Sequence, residues 1–113
     1  MGTFVAGDPM DKALKQRIVD MISSKKVFLF MKGTPDAPQC GFSMRVVNCL
    51  RAVGCDFGSF DVLDDEDVRQ GIKEFANWPT IPQLYVDGTF VGGCDITEEL
   101  MQSGELAKLV GRM

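Results

Sequence analysis

The chain has 113 residues, 45% hydrophobic and 25% charged, an ordinary balance for one globular domain with a core of two or three layers. A formal net charge of −4 argues against general nucleic-acid or anionic-membrane binding, both of which need a basic face. No apolar run approaches the ~20 residues that span a bilayer, and the lack of histidine removes cysteine–histidine catalysis and the usual zinc ligand sets.

Residues 1–9 read as a flexible lead-in to a domain over 10–113. They have neither the charged region nor the long apolar stretch of a secretory signal, and Ala6 stands where a myristoylation site needs Ser or Thr. Leu14, Ile18, Met21 and Ile22 recur at helical spacing and predict a first helix from about residue 10 to 24. Val27 to Met31 is a continuous apolar run, the mark of a strand covered on both faces. After a Gly/Pro-rich loop, Val46, Val47, Leu50 and Val53 outline a second helix ending at Gly54. Residues 55–62 read as a strand, and Asp64-Asp65-Glu66-Asp67 opens a third helix whose buried stripe is Val68, Ile72 and Phe75. Trp78-Pro79-Thr80-Ile81-Pro82 cannot be helical. It precedes a strand, an Asp87-Gly88 hairpin turn and a returning strand that Gly92-Gly93 breaks. Asp95 or Thr97 is placed to cap a last helical region, interrupted at Ser103-Gly104. The order α-β-α-β-α-β-β-α predicts a mixed four-stranded sheet with helices on both faces, a thioredoxin-like α/β fold.

The four cysteines, Cys40, Cys49, Cys55 and Cys94, are even in number. A chain of this size builds its own core, so they read as reduced thiols of an intracellular protein. Cys40 stands where the buried strand gives way to a helix, and helix amides and dipole favour a thiolate there. The bland alternative, a buried cysteine acting as a small hydrophobe, is countered by the Gly/Pro loop that keeps Cys40 near the surface. Three residues on, where a dithiol site has its second cysteine, the chain has Ser43, so the motif cannot close a disulfide within itself. Lys32 follows the first strand, on the edge where open α/β sheets bind ligands, or is simply a solvated lysine. Arg69 reads most simply as a surface partner of acidic neighbours. A trans Pro82 is the default, since about one X–Pro bond in twenty is cis. A cis bond would turn the Ile81 main chain outward to pair with an extended ligand. Gly93-Cys94-Asp95 offers amides and a carboxylate at a helix start, which suits either a charged ligand end or a plain turn. Cys49 and Cys55 read as packing residues, leaving Cys94 as the candidate resolving thiol.

Met31-Lys32-Gly33-Thr34-Pro35, Pro38-Gln39-Cys40-Gly41-Phe42-Ser43, Trp78-Pro79-Thr80-Ile81-Pro82-Gln83 and Gly92-Gly93-Cys94-Asp95 together resemble a monothiol, CGFS-type glutaredoxin, over residues 10–110. The stretch Asp64-Asp65 through Lys73 is most similar to the single-domain mitochondrial branch often called glutaredoxin 5. The resemblance implies a cis Pro82 and a glutathione groove beside Cys40. Lys32 and Arg69 would pair with the glycine carboxylate, the backbone of Thr80, Ile81 and Pro82 with the cysteinyl portion, and Gly93, Cys94 and Asp95 with the γ-glutamyl end. It further implies a [2Fe-2S] cluster shared by two subunits, with Cys40 as the one protein ligand from each and two glutathiones completing the set. The expected function is cluster transfer in iron–sulfur protein maturation, with weak or no oxidoreductase activity. The alternative is a glutathione-dependent oxidoreductase acting on protein–glutathione mixed disulfides. Implied partners are BolA-like proteins and iron–sulfur acceptor proteins, with a monomeric apo form and a cluster-bridged homodimer. The implied location is the mitochondrial matrix, or alternatively a bacterial cytoplasm.

Overall fold

The computed structural model describes residues 11–111; the flexible segment expected over residues 1–9 lies outside them. In chain order the elements are α1 (Lys12–Ser23), β1 (Val27–Met31), β2 (Gly33–Thr34), β3 (Ala37–Pro38), α2 (Gly41–Ala52), β4 (Gly58–Asp61), a 3-10 turn (Val62–Asp64), α3 (Glu66–Ala76), β5 (Gln83–Val86), β6 (Thr89–Gly92), α4 (Cys94–Ser103) and α5 (Glu105–Leu109).

All five residues of β1 are buried, and successive side chains of a strand point to opposite faces. Val27, Leu29 and Met31 therefore pack with Val46, Leu50 and Leu106 of α2 and α5. Phe28 and Phe30 pack with Ile18, Ile22, Val68 and Ile72 of α1 and α3 on the other face. The sheet order is β4-β1-β5-β6. β1 runs parallel to β4 and antiparallel to β5, with Phe30 opposite both Phe60 and Gln83. β5 and β6 form the expected antiparallel hairpin, its turn residues Asp87 and Gly88 both at positive φ (53° and 77°). This is the mixed four-stranded, thioredoxin-like arrangement with helices on both faces.

Three local features differ from expectation. The strand expected over 55–62 is only Gly58–Asp61. Its front is lost because the Cys55 N–H bonds back to the Leu50 carbonyl in the turn that ends α2. Its end is lost because Asp61 accepts from the Leu63 N–H and draws Val62 into the 3-10 turn. The Gly/Pro loop contains a small hairpin, β2 against β3, pairing Gly33 with Pro38. Neither Asp95 nor Thr97 caps α4 with its side chain: Gly93 is the N-cap, and the Thr97 hydroxyl donates to the Gly93 carbonyl at 2.7 Å. The break at Ser103-Gly104 holds, with Gly104 at φ 83° separating α4 from α5.

Antiparallel pairing brings the end of β1, the start of β5 and the end of β6 to one edge of the sheet. Lys32, Ile81-Pro82 and Gly93-Cys94 all lie along that edge.

Candidate functional site

Cys40 is the N-cap residue of α2, with extended backbone angles (φ −153°, ψ 135°). The hairpin before it sets its position. Gly33, at φ +87°, is hemmed in so that a Cβ would lie 2.5 Å from the Ala37 carbonyl and 2.6 Å from the Gln39 nitrogen. Its N–H donates to Asp61 Oδ1 at 2.9 Å, and the Gln39 N–H donates to the Lys32 carbonyl at 2.9 Å. The loop is thus tied to the ends of both β4 and β1.

Partial burial pushes the Cys40 thiol up, but the Ser43 and Phe42 backbone N–H groups, the Lys32 charge and the Ser43 hydroxyl outweigh it. The thiol ends below its ordinary value, as a sulfur at a helix N-terminus should. Ser43 is completely buried, and its Oγ accepts from the Lys32 N–H at 3.1 Å. That leaves the hydroxyl hydrogen to donate to the sulfur. Replacing Lys32 with glutamine is expected to raise the pH of half-maximal Cys40 alkylation and slow the reaction at neutral pH. An iodoacetamide pH–rate profile read by peptide mass spectrometry checks this; an unmoved midpoint rules out the Lys32 contribution.

A cleft of about 700 Å³ opens beside Cys40. Lys32, Cys40, Arg69, Thr80, Ile81, Pro82, Gly93, Cys94 and Asp95, the residues singled out from the sequence, all line it. The Ile81–Pro82 bond is cis, and the Ile81 main chain makes no backbone hydrogen bond to another described residue. Arg69 reaches in from α3 on one face of the sheet and Asp95 from α4 on the other. Among the described residues neither Lys32 nor Arg69 has a carboxylate partner, so Arg69 is not the surface ion-pair residue of its simplest reading. Two unpaired cations beside an ionisable thiol form a site suited to an anionic thiol ligand.

Residues 27–91 match the glutaredoxin family. The chain is 56% identical over 99 residues to mitochondrial monothiol glutaredoxin-5 of Lachancea kluyveri, covering 85% of this chain and 69% of that relative. The chain belongs to the monothiol glutaredoxin family. Rice monothiol glutaredoxin-S11 is 59% identical over 95 residues, 84% of this chain; the chain spans only 19% of that longer relative. The solution structure of reduced poplar apo GrxS14 superposes with a TM-score of 0.77 at 52% identity, covering 88% of this chain and 91% of that one.

In this glutaredoxin the other cleft thiol behaves differently from Cys40. Burial, then the Glu98 carboxylate, push Cys94 above the ordinary thiol value. Cys49 is likewise pushed up, by burial and then by the Glu98 carboxylate, and lies where α2 faces α4, outside the cleft. Sequence reasoning passed over Lys73, Glu99, Phe42 and Trp78, which also line the cleft. Lys73 follows Arg69, and Glu99 follows Asp95, by four residues on the same helix, so helical spacing could have placed both. Phe42 is 55% exposed beside Cys40. The Trp78 indole N–H is buried with no partner among the described residues, a feature no local pattern signals.

Proposed function

We propose that this glutaredoxin binds glutathione in the cleft and carries a [2Fe-2S] cluster, as cargo, between two copies of the chain for delivery to other proteins. One observation carries the reading: an ionisable Cys40 lies beside a cleft with unpaired cations, while the third position after it is a buried serine. Such a motif has no internal thiol with which to close a disulfide. A [2Fe-2S] cluster takes four thiolates. Each chain offers one lowered thiol at the cleft, so the donor set fits two chains plus two small-molecule thiols.

Within the proposal, Lys32 and Arg69 pair with the glycine carboxylate of glutathione, as charge-assisted hydrogen bonds favour. The free main chain of Ile81, held between Thr80 and Pro82, pairs with its peptide groups. The amides at Gly93 and Cys94, with the Asp95 carboxylate, hold the γ-glutamyl end. BolA-like proteins and iron–sulfur acceptors are the proposed partners. A mitochondrial matrix location follows the Lachancea relative, with a bacterial cytoplasm as the alternative. The lowered Cys40 thiol also favours a second reading, glutathione-dependent reduction of protein mixed disulfides.

Anaerobic reconstitution with iron, sulfide and glutathione is expected to give a coloured dimer, and omission of glutathione to prevent it. Visible spectra and size-exclusion chromatography record the outcome. A colourless monomer with glutathione present, together with rapid turnover of a small mixed disulfide, would favour the second reading instead.

A further inference from the structure

The segment Trp78-Pro79-Thr80-Ile81-Pro82 forms one wall of the cleft without regular secondary structure. Its two prolines supply no N–H, so it has little means of holding itself by local backbone bonds. Gln83, which follows it, is completely buried and does not line the cleft. The Gln83 Nε2 donates to the Trp78 carbonyl at 3.2 Å and to the Thr80 carbonyl at 3.4 Å. The Gln83 Oε1 accepts from the Tyr85 hydroxyl at 3.0 Å. The carboxamide orientation follows from these partners, because its oxygen faces a donor and its nitrogen faces acceptors. Tyr85 is itself fixed: it is 1% exposed, with ring contacts to Phe30 at 5.7 Å and Phe90 at 5.4 Å. Burial pushes its hydroxyl well above the ordinary range, so it remains a donor.

The geometry points to Gln83 as a positioning residue that holds the main chain of residues 78–81 in the shape that pairs with the tripeptide, with Tyr85 orienting Gln83 from the core. The inference rests on the glutathione reading above. Gln83 acts through the carbonyls of Trp78 and Thr80 and touches neither the thiol nor the ligand. Loss of the network therefore weakens glutathione recognition while leaving the Cys40 sulfur as it was.

Two thiol–disulfide equilibria separate these effects. The Cys40 thiolate attacks glutathione disulfide, forming the Cys40–glutathione mixed disulfide and releasing one glutathione thiolate. The same exchange is run with the disulfide of 2-mercaptoethanol. Each exchange breaks one S–S bond and forms one, so no outside oxidant is needed. The ratio of the two constants, measured by intact-protein mass spectrometry, isolates the contribution of the cleft.

In Gln83→Met the ratio is expected to fall about tenfold, the worth of roughly one oriented hydrogen-bonded contact. In Tyr85→Phe it falls about two- to threefold, because only the orienting hydroxyl is removed. The 2-mercaptoethanol constant and the Cys40 titration stay at wild-type values in both. A wild-type ratio in folded Gln83→Met or Tyr85→Phe overturns the inference, as does a parallel fall of both constants. If Gln83→Met does not fold, Tyr85→Phe decides alone. A wild-type protein with no preference for glutathione overturns the glutathione reading and this inference with it, whereas a preference that survives both substitutions overturns this inference alone.

Discussion

Cys40→Ser is expected to give a folded protein that stays colourless and monomeric when iron, sulfide and glutathione are supplied without oxygen. Oxygen at this position is neither a competent cluster ligand nor a partner for a mixed disulfide, so both proposed activities are lost completely. The fold should not suffer. Cys40 is the N-cap of α2 without a side-chain capping bond, and serine is among the preferred N-cap residues. Thermal unfolding is therefore expected at or slightly above the wild-type midpoint, which separates loss of function from loss of structure. Cys94→Ser is the companion variant: its buried thiol is held protonated, and the colour is expected to persist. Colour retained in Cys40→Ser and lost in Cys94→Ser would move the cluster ligand to the wrong thiol and end the present assignment.

Phe30→Ala is expected to cost about 4 kcal/mol, within the usual range for emptying a buried aromatic site. Phe30 has no exposed surface and lies on the central strand β1. Its ring makes edge contacts with Phe28 at 5.1 Å, Tyr85 at 5.7 Å and Phe60 at 6.5 Å. Neighbours from a strand on each side cannot all collapse into the space it leaves. Domains of this kind have net stabilities of about 5–15 kcal/mol, so the loss is a large share of the whole. Urea denaturation followed by tryptophan fluorescence measures it, with Phe60→Ala as control. Phe60 is only half-buried on the outer strand β4, and its loss should be clearly smaller. Equal losses would mean that the face between α1, α3 and the sheet is looser than its packing indicates.

Much of this architecture is legible in the chain because it depends on periodicity and on residues with restricted backbones. The run Val27–Met31 declares a strand buried on both sides, and Asp65 opens α3 as the acidic cluster predicts, accepting from the Val68 N–H. The cleft-lining residues gather because β1, β5 and β6 meet at one edge, which follows once strand order is known. What escaped is what periodicity does not encode. Two-residue strands such as β2 and β3 have no repeat to detect. The early end of β4 depends on where the Asp61 carboxylate points. Gln83 looks in sequence like the polar first residue of a strand; only the path of residues 78–82 reveals it as their brace. The cap of α4 is hidden from the sequence for a similar reason, since the Thr97 hydroxyl turns back to a carbonyl instead of forward to an amide.

Ser43 has a bearing on how this sequence can drift. Its oxygen is the acceptor for the Lys32 amide at the end of β1, in a position with no exposed surface. Sulfur is a weak acceptor, so a cysteine there would leave that amide poorly matched. The number of thiols in the motif is therefore tied to the hydrogen bonding of the strand that carries Lys32. A second thiol at position 43 is expected to weaken that bond to the Lys32 amide, at a cost of about 1 kcal/mol.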